Sequence, residues 1–269
     1  MMNCLPFVKS RPRVNVVRLT GTIGGAGLAG GGLCDRNVAQ PIERAFSKGK
    51  PVAVALLINS PGGSPVQSSL IAARVRRLAE EKGIPVYAFV EDVAASGGYW
   101  LATSADEIFV DSSSILGSIG VISASFGFHE LLARQGIERR VHTAGKDKSM
   151  LDPFRAERPA DVKRLKAMQA RIHEAFIEQV KTRRGDRLAS DDDLFSGEIW
   201  IGQKAIDAGL ADGKGHLVPK MKEIFGDRTR LSVLERKKPF FGLRRFGSQI
   251  AHDAMGAVED RALWAQFGL

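Results

Sequence analysis

Two continuous apolar runs of strand length, "PVAVALLINS" (51–60) and "IPVYAFVED" (84–92), constrain this chain more than any other feature. A strand that is apolar at nearly every position, instead of at every second one, must be covered on both faces. Each run leads into a turn rich in glycine and then into a helical pattern, so the strands are joined by crossovers and run parallel. "RVNVVRLTG" (13–21) and "EIFVD" (107–111) supply further strands in the same alternation. The expectation is an α/β fold with a mainly parallel sheet: one domain over 12–235, then a C-terminal extension over 236–269 holding a basic, aromatic segment and a helix.

Helical spacing follows each strand. "DRNVAQPIERAFSKG" (35–49) reads as a helix in which Pro41 marks a break or a late start. "PGGSPVQSSLIAARVRRLAEEKG" (61–83) turns and becomes amphipathic, with Leu70, Ala73 and Leu78 inward and Arg74, Arg76 and Arg77 outward. "FHELLARQG" (128–136) reads as a helix, "IERRVHTAG" (137–145) as a strand, and "ADVKRLKAMQARIHEAFIEQVKTRRG" (160–185) as the longest helix.

Active sites of such sheets lie beyond the carboxyl ends of the strands. "NSPGG" (59–63) and "ASGG" (95–98) both occupy such ends, so two glycine turns are expected to face one pocket. Ser96 in the second turn has an ordinary explanation as a helix N-cap. That explanation leaves Gly97 and Gly98 without a reason, whereas a nucleophile at a helix N-terminus uses free amides to hold an oxyanion. Such a serine needs a base. His129, His142, His173, His216 and His252 are scattered and none is assignable to that role, which leaves lysine. A lysine acts as a base only once its ammonium, ordinarily near ~10.4, can give up its proton close to neutrality. In "HTAGKDKSMLDPF" (142–154) Lys146 and Lys148 both follow a strand-like run, and composition does not choose between them.

Other chemistry is disfavoured. "GAGLAG" (25–30) matches G-x-G-x-x-G, but more glycines follow where a helix should begin, and the next strand ends in Asn59 and Ser60 instead of an acid. It reads as a rim loop, and no cofactor is expected. The histidines form no ligand spacing, so no metal is expected either. Cys4 and Cys34 make no disulfide framework and read as free thiols. No run approaches the ~20 apolar residues of a membrane span, nor does the start resemble a secretory signal, so a soluble, cytoplasmic chain is expected.

The net charge of +9 is concentrated late, in "RTRLSVLERKKPFFGLRRF" (228–246). A solvated face is the ordinary reading of a charge run. Pro239, Phe240, Phe241 and Phe246 among the cations offer a second, peripheral contact with an anionic membrane through 236–246 at its inner face. No motif points to specific nucleic-acid binding.

"NSPGG", "ASGGYWLATSADEIFVDSSSILGSIGVI", "TAGKDKSMLDPF" and "SGEIWIGQKAIDAGLADGKG" resemble, in order and spacing, the bacterial signal-peptide peptidases of the SppA/SohB type. The resemblance spans about 14–231 and implies the spiral of repeated β-β-α units shared with Clp protease and the crotonases. It implies a Ser–Lys dyad, with Ser96 as nucleophile and Lys148 as general base, three residues after Gly145 and five before Pro153. Gly63 and Gly97 match the oxyanion amides and Ser118 the hydroxyl that orients the lysine. Gly202, Ala205, Gly209 and Asp212 match structural positions. The implied activity is endopeptidase hydrolysis of short, unfolded, apolar peptides such as signal-peptide remnants, by a homo-oligomeric ring or dome. Asp147 departs from a neutral setting, since an anion facing Lys148 would hold its proton. Two other functions are compatible with the residues: a crotonase-type acyl-CoA enzyme with the same glycine-amide oxyanion hole, and a non-enzymatic membrane-docking scaffold.

Overall fold

The computed structural model describes residues 11–24, 32–145, 147–190, 192–234 and 261–269. Strands and helices alternate as the apolar runs require: β1 (Arg13–Thr20), α1 (Asp35–Ser47), β2 (Ala53–Ser60), α2 (Pro65–Lys82), β3 (Val86–Ala95), α3 (Gly97–Ala102), β4 (Glu107–Val110) and β5 (Ile115–Gly117). Then come α4 (His129–Arg134), α5 (Pro159–Arg184), β6 (Ile199–Ile201), α6 (Gln203–Asp207), β7 (Gly213–Lys214), α7 (Leu217–Phe225) and β8 (Arg230–Leu234). A helical stretch at 261–265 lies within the C-terminal extension. The basic and aromatic segment at 236–246, Lys146 and the glycine-rich stretch 25–31 fall outside the described residues.

The eight strands form one sheet in the order β6-β5-β3-β2-β1-β8, with β4 beside β3 and β7 beside β4. All pairings are parallel except β5 with β6. β3 is long enough to serve two neighbours: Tyr87–Val90 pair with β4, and Val93–Ala95 pair with β5. This is an α/β fold with a mixed, mostly parallel sheet.

Both faces of β2 are buried, which is why its sequence does not alternate. Val54, Leu56 and Ile58 face α1 and α2 and meet Ile42, Phe46, Ile71 and Val75. Ala55 and Leu57 face the other way, with Val16, Phe89 and Phe109 under Met221 of α7. No described helix is long and apolar enough to cross a membrane.

Three local expectations are corrected. The buried positions of α2 are Ser68, Ile71, Ala72, Val75, Leu78 and Ala79, while Leu70 is 47% exposed and Ala73 is exposed as well. Small residues at 68, 72 and 79 let the helix lie close to the sheet, and spacing by three and four residues outweighs the bulk of Leu70. On its outer side Arg74 makes a bidentate pair with Asp35 and reaches Glu43, tying α2 to α1. Pro41 neither breaks nor delays α1, which begins at Asp35 and runs on through it. Its ring is buried beside Val38, Ile42 and Ala45, so tertiary packing offsets the missing donor. Residues 137–143 form no strand, because no described strand lies alongside to accept their backbone hydrogen bonds.

The C-terminal end of α5 is fastened by Arg184, 2% exposed in its side chain, which binds Asp212 through both guanidinium ends at 2.8 and 3.0 Å and donates to the Gly209 carbonyl. Asp212 also accepts the Ile108 amide, and the hydroxyl of buried Tyr99 donates to the Leu210 carbonyl. One ion pair therefore joins α5, β4 and the turn after α6. Burial raises the Asp212 pKa, but hydrogen bonding and charge from Arg184 outweigh it and hold the carboxyl below its ordinary value. A depressed carboxyl contributes stability above its unfolded value and loses that contribution as pH falls through the folded one. Stability from this pair is therefore expected to be level above about pH 5 and to decline below about pH 4 in chemical denaturation. Asp212→Asn should cost about 3 kcal/mol at neutral pH by leaving Arg184 buried without its anion, and should flatten that acid limb.

Candidate active site

Parallel register brings the two glycine turns together. β2 and β3 pair as Ile58↔Val90 and next as Ser60↔Ala94, so β3 advances four residues while β2 advances two. The bulge is bridged by Asn59, whose amide donates to Asp92 at 2.6 Å and whose carbonyl accepts the Val93 amide at 3.3 Å. Gly62 thereby comes opposite Ser96: a Cβ on Gly62 would lie 2.9 Å from the Ser96 Cβ and 3.0 Å from the Gly97 nitrogen.

Ser96 occupies the turn from β3 into α3 with φ +50° and ψ −123°, a backbone that L residues rarely adopt. Its hydroxyl makes no capping hydrogen bond to α3. The N-cap explanation of this serine therefore fails, and its half-buried side chain is aimed elsewhere by a strained strand-to-helix turn. Backbone bonds hold the strain in place: the Ser96 amide donates to Gly117 at 2.8 Å, and its carbonyl accepts from Trp100 at 3.1 Å.

Gly63 adopts φ +137°, and a Cβ there would collide with the Ile23 carbonyl. The close approach is fixed by Ile23, which accepts from Gly62 nothing but donates its own amide to the Gly62 carbonyl at 2.8 Å and accepts the Ser64 amide at 2.8 Å. The Gly63 and Gly97 turns lie close together, the Cβ position of Gly97 being 3.4 Å from the Gly63 nitrogen. Among the described residues neither amide has an acceptor. Two unpaired N–H groups beside an uncapped serine hydroxyl can receive the oxygen of a carbonyl under attack.

Ser118 belongs to the same cluster. Gly117 pairs with Ala95 across β5 and β3, and Ser118 follows with φ +48°, its amide donating to Glu198 at 2.7 Å. His173 of α5 bonds the next carbonyl, that of Ile119, at 2.9 Å.

Lys148 stands apart from these four residues. It is exposed, in the turn 147–150, and among the described residues no hydrogen bond joins its ammonium to Ser96 or Ser118. The Leu151 amide ties this turn to Asp161 near the start of α5. The α5 contact with the Ser118 turn comes from His173, twelve residues further along and so about 18 Å away along the helix axis. Asp147 is paired with Arg164 at 3.1 Å. Its charge is thus directed to α5. Among the described residues no group of histidines, cysteines and carboxylates is arranged to hold a metal ion.

A strained serine elbow beside two glycine amides at parallel strand ends defines a class of site suited to acyl transfer, and the matching family model is that of a peptidase family. The model of peptidase family S49 matches residues 78–223. The chain is 27% identical over 269 residues to the chloroplastic serine protease SPPA of Arabidopsis thaliana, covering 96% of this chain and 39% of that one. It is 28% identical over 236 residues to protease 4 of Haemophilus influenzae, covering 84% and 38%. A 45% identity over 272 residues links it to a Brucella melitensis protein called Na(+)/H(+) antiporter NhaA, covering 95% of this chain and 37% of that protein. The chain thus spans well under half the length of these curated relatives. Among solved structures, a mutant of the 1510-N membrane-bound stomatin-specific protease aligns with a TM-score of 0.49 at 13% identity, covering 86% of this chain and all of that one. The chain belongs to peptidase family S49, in the SppA/SohB type.

The sequence assigns Asn59 no role beyond opening the "NSPGG" turn and standing where a nucleotide site would have an acid. Its role arises from the bulge, which no local pattern announces. Asn59→Ala should release the bulge and let the Ser96 turn drift from Gly63. The rate at which a fluorophosphonate probe labels Ser96 is expected to fall about 100-fold, as an ångström-scale misplacement costs, with the melting temperature lowered by only a few degrees.

Proposed function

We propose that this chain is a serine endopeptidase in which Ser96 attacks a peptide carbonyl, the Gly63 and Gly97 amides hold the resulting oxyanion, and Lys148 takes the serine proton. The observation that supports the nucleophile most directly is the strained Ser96 turn, whose hydroxyl caps no helix and which lies beside the Gly62–Gly63 turn. The oxyanion forms as the serine oxygen bonds to carbon. The lysine then returns its proton to the departing amine, and water releases the acyl-enzyme. Ser118 orients the lysine. The proposed substrates are short, unfolded, apolar peptides such as signal-peptide remnants, on a peptidase domain spanning 12–235 built as the Clp/crotonase spiral.

The base arrives from a second copy of the chain. The described residues of 121–158 form an exposed arm: Ile122 and Phe126 are 76% and 78% exposed, and Leu131 and Ile137 are exposed with them. So much apolar surface on one arm supports an interface there, and this arm carries Lys148. In a closed ring every arm meets the next subunit's Ser118 and Ser96, so each site takes its serine and its lysine from different chains. The acyl-CoA alternative lacks a use for Ser96.

Peptidase activity should be lost in Ser96→Ala and should fall by about 10²–10⁴ in Lys148→Ala, the range for a general base. Mixing the two inactive variants separates the arrangements. Recovery of about a quarter of wild-type activity on subunit exchange is expected if the dyad forms between chains. No recovery would place both groups in one chain, and full activity in either variant would defeat the dyad.

A further inference from the structure

A groove of about 490 Å³ opens on the sheet face opposite α1 and α2, where the ends of β2, β3 and β4 meet the start of α7. That volume falls within the roughly 300–1,000 Å³ of sites that enclose a small ligand or a few residues of peptide. Leu57 and Phe89, partners across β2 and β3, form its floor, and Leu217, Val218 and Pro219 form one wall. Val218 is 50% exposed there. The serine turn has no part in it: none of Gly62, Gly63, Ser96, Gly97 and Ser118 lines the groove.

The rim of the groove is acidic. Glu91 follows Phe89 by two residues, so it shares that face of β3 and stands about 7 Å further along the strand. Asp92 comes next, and Asp111 follows Val110, the partner of Val90, at the end of β4. Asp111 is already engaged, by His216 at 2.8 Å and the Ser113 amide at 2.9 Å. Glu91 and Asp92 retain capacity for a cation: Asn59 donates to one oxygen of Asp92 at 2.6 Å, and Glu91 has no ion pair among the described residues. No described lysine or arginine lines the groove. Lys220, further along α7, is turned to Glu223 at 2.7 Å and lies over the Phe109 ring at 5.0 Å.

The charge and the floor together select the guest. An anion is repelled by this rim, and a purely apolar guest would shut water away from Glu91 and Asp92 without giving them a partner. A polyamine would satisfy the acids and leave the floor unused. A guest that meets both has an apolar body and an ammonium or guanidinium about 7 Å apart, which an arginine or lysine beside an aromatic residue can span. We propose that this groove binds a short peptide segment in which an arginine or lysine neighbours an aromatic side chain, with the ring on Leu57 and Phe89 against Val218 and the cation at Glu91 and Asp92. The inference does not rest on the peptidase reading, and its test does not read activity.

The test is photoaffinity labelling of the full chain with acetyl-p-benzoylphenylalanyl-arginine amide, with the labelled positions read by mass spectrometry. Saturable labelling is expected within 89–92 and 217–219. The same probe with citrulline in place of arginine, similar in shape but uncharged, should label these positions about tenfold less, and Glu91→Gln should weaken the arginine probe by a similar factor. Val218→Lys, at an exposed position, should abolish the labelling, whereas Val218→Leu should retain it. Should Val218→Lys fail to fold, the citrulline probe and Glu91→Gln still decide the question on a folded chain. Labelling spread over the exposed arm or concentrated at the Ser96 turn, equal labelling by the two probes, or labelling indifferent to a folded Val218→Lys would overturn the proposal. So would spermidine competing as well as acetyl-phenylalanyl-arginine amide, because the acids alone would then make the site.

Discussion

The bulge between β2 and β3 is the constraint on which the site depends. Had the pairing continued from Ile58↔Val90 without it, Ser60 would face Asp92 and Gly62 would face Ala94. Two additional residues on β3 move the serine turn back by one side-chain period, so that Ser96 and not Ala94 stands beside Gly62. The Asn59 side chain supplies both a donor and an acceptor to the bulged strand, replacing ladder bonds that the slip removes. A sheet otherwise built for uniform burial thus contains one irregularity, and it lies where the chemistry would be.

The strain at Ser96 follows from the same geometry. A non-glycine residue in such a conformation costs on the order of 1–3 kcal/mol, and it persists only where the surroundings over-determine it. Here they do: the Ser96 amide is held by β5, its carbonyl by α3, and Gly97 and Gly98 have no side chain to resist the tight path past Ser60 and Ser68. Ser118 carries a second positive φ on the adjoining strand. Two of the four non-glycine residues with positive φ among those described therefore lie in one cluster, and the other two, Lys50 and Leu151, lie in loops elsewhere. Strain gathered at one place is more consistent with function than with a fold-wide irregularity.

The parts of this arrangement legible in the sequence are those with a local cause. Continuous apolar runs require two-sided burial, and glycines at strand ends announce turns, so the parallel sheet and the facing of "NSPGG" and "ASGG" follow without tertiary information. Features decided by a distant partner do not follow. Leu70 looks like a core residue because it is large, yet the close approach permitted by Ser68, Ala72 and Ala79 sets the phase of α2. "IERRVHTAG" has strand composition but no neighbour to pair with. Pro41 is a breaker by propensity, and the packing of α1 overrides it. Asn59 reads as an ordinary turn residue until its partner across the bulge is known.

Lys148 is the clearest case of a residue that the sheet does not position. Ser96, Gly63, Gly97 and Ser118 are drawn together by the sheet, whose hydrogen bonds leave little freedom. The lysine is carried instead by a segment that buries little: every described residue within 121–158 is exposed or half-buried, although the Asp152 carboxylate is enclosed. What orders the segment is its own polar and aromatic contacts, with Asp152 between Arg139 and Arg155 and Phe128 stacked on Phe154. A segment that is internally braced but lies free of the sheet has no energetic reason to project apolar side chains into water, unless another surface covers them. Burial of Ile122 and Phe126 against another surface would supply the packing energy that the sheet does not give this segment, so the position of the segment would be decided by what covers it.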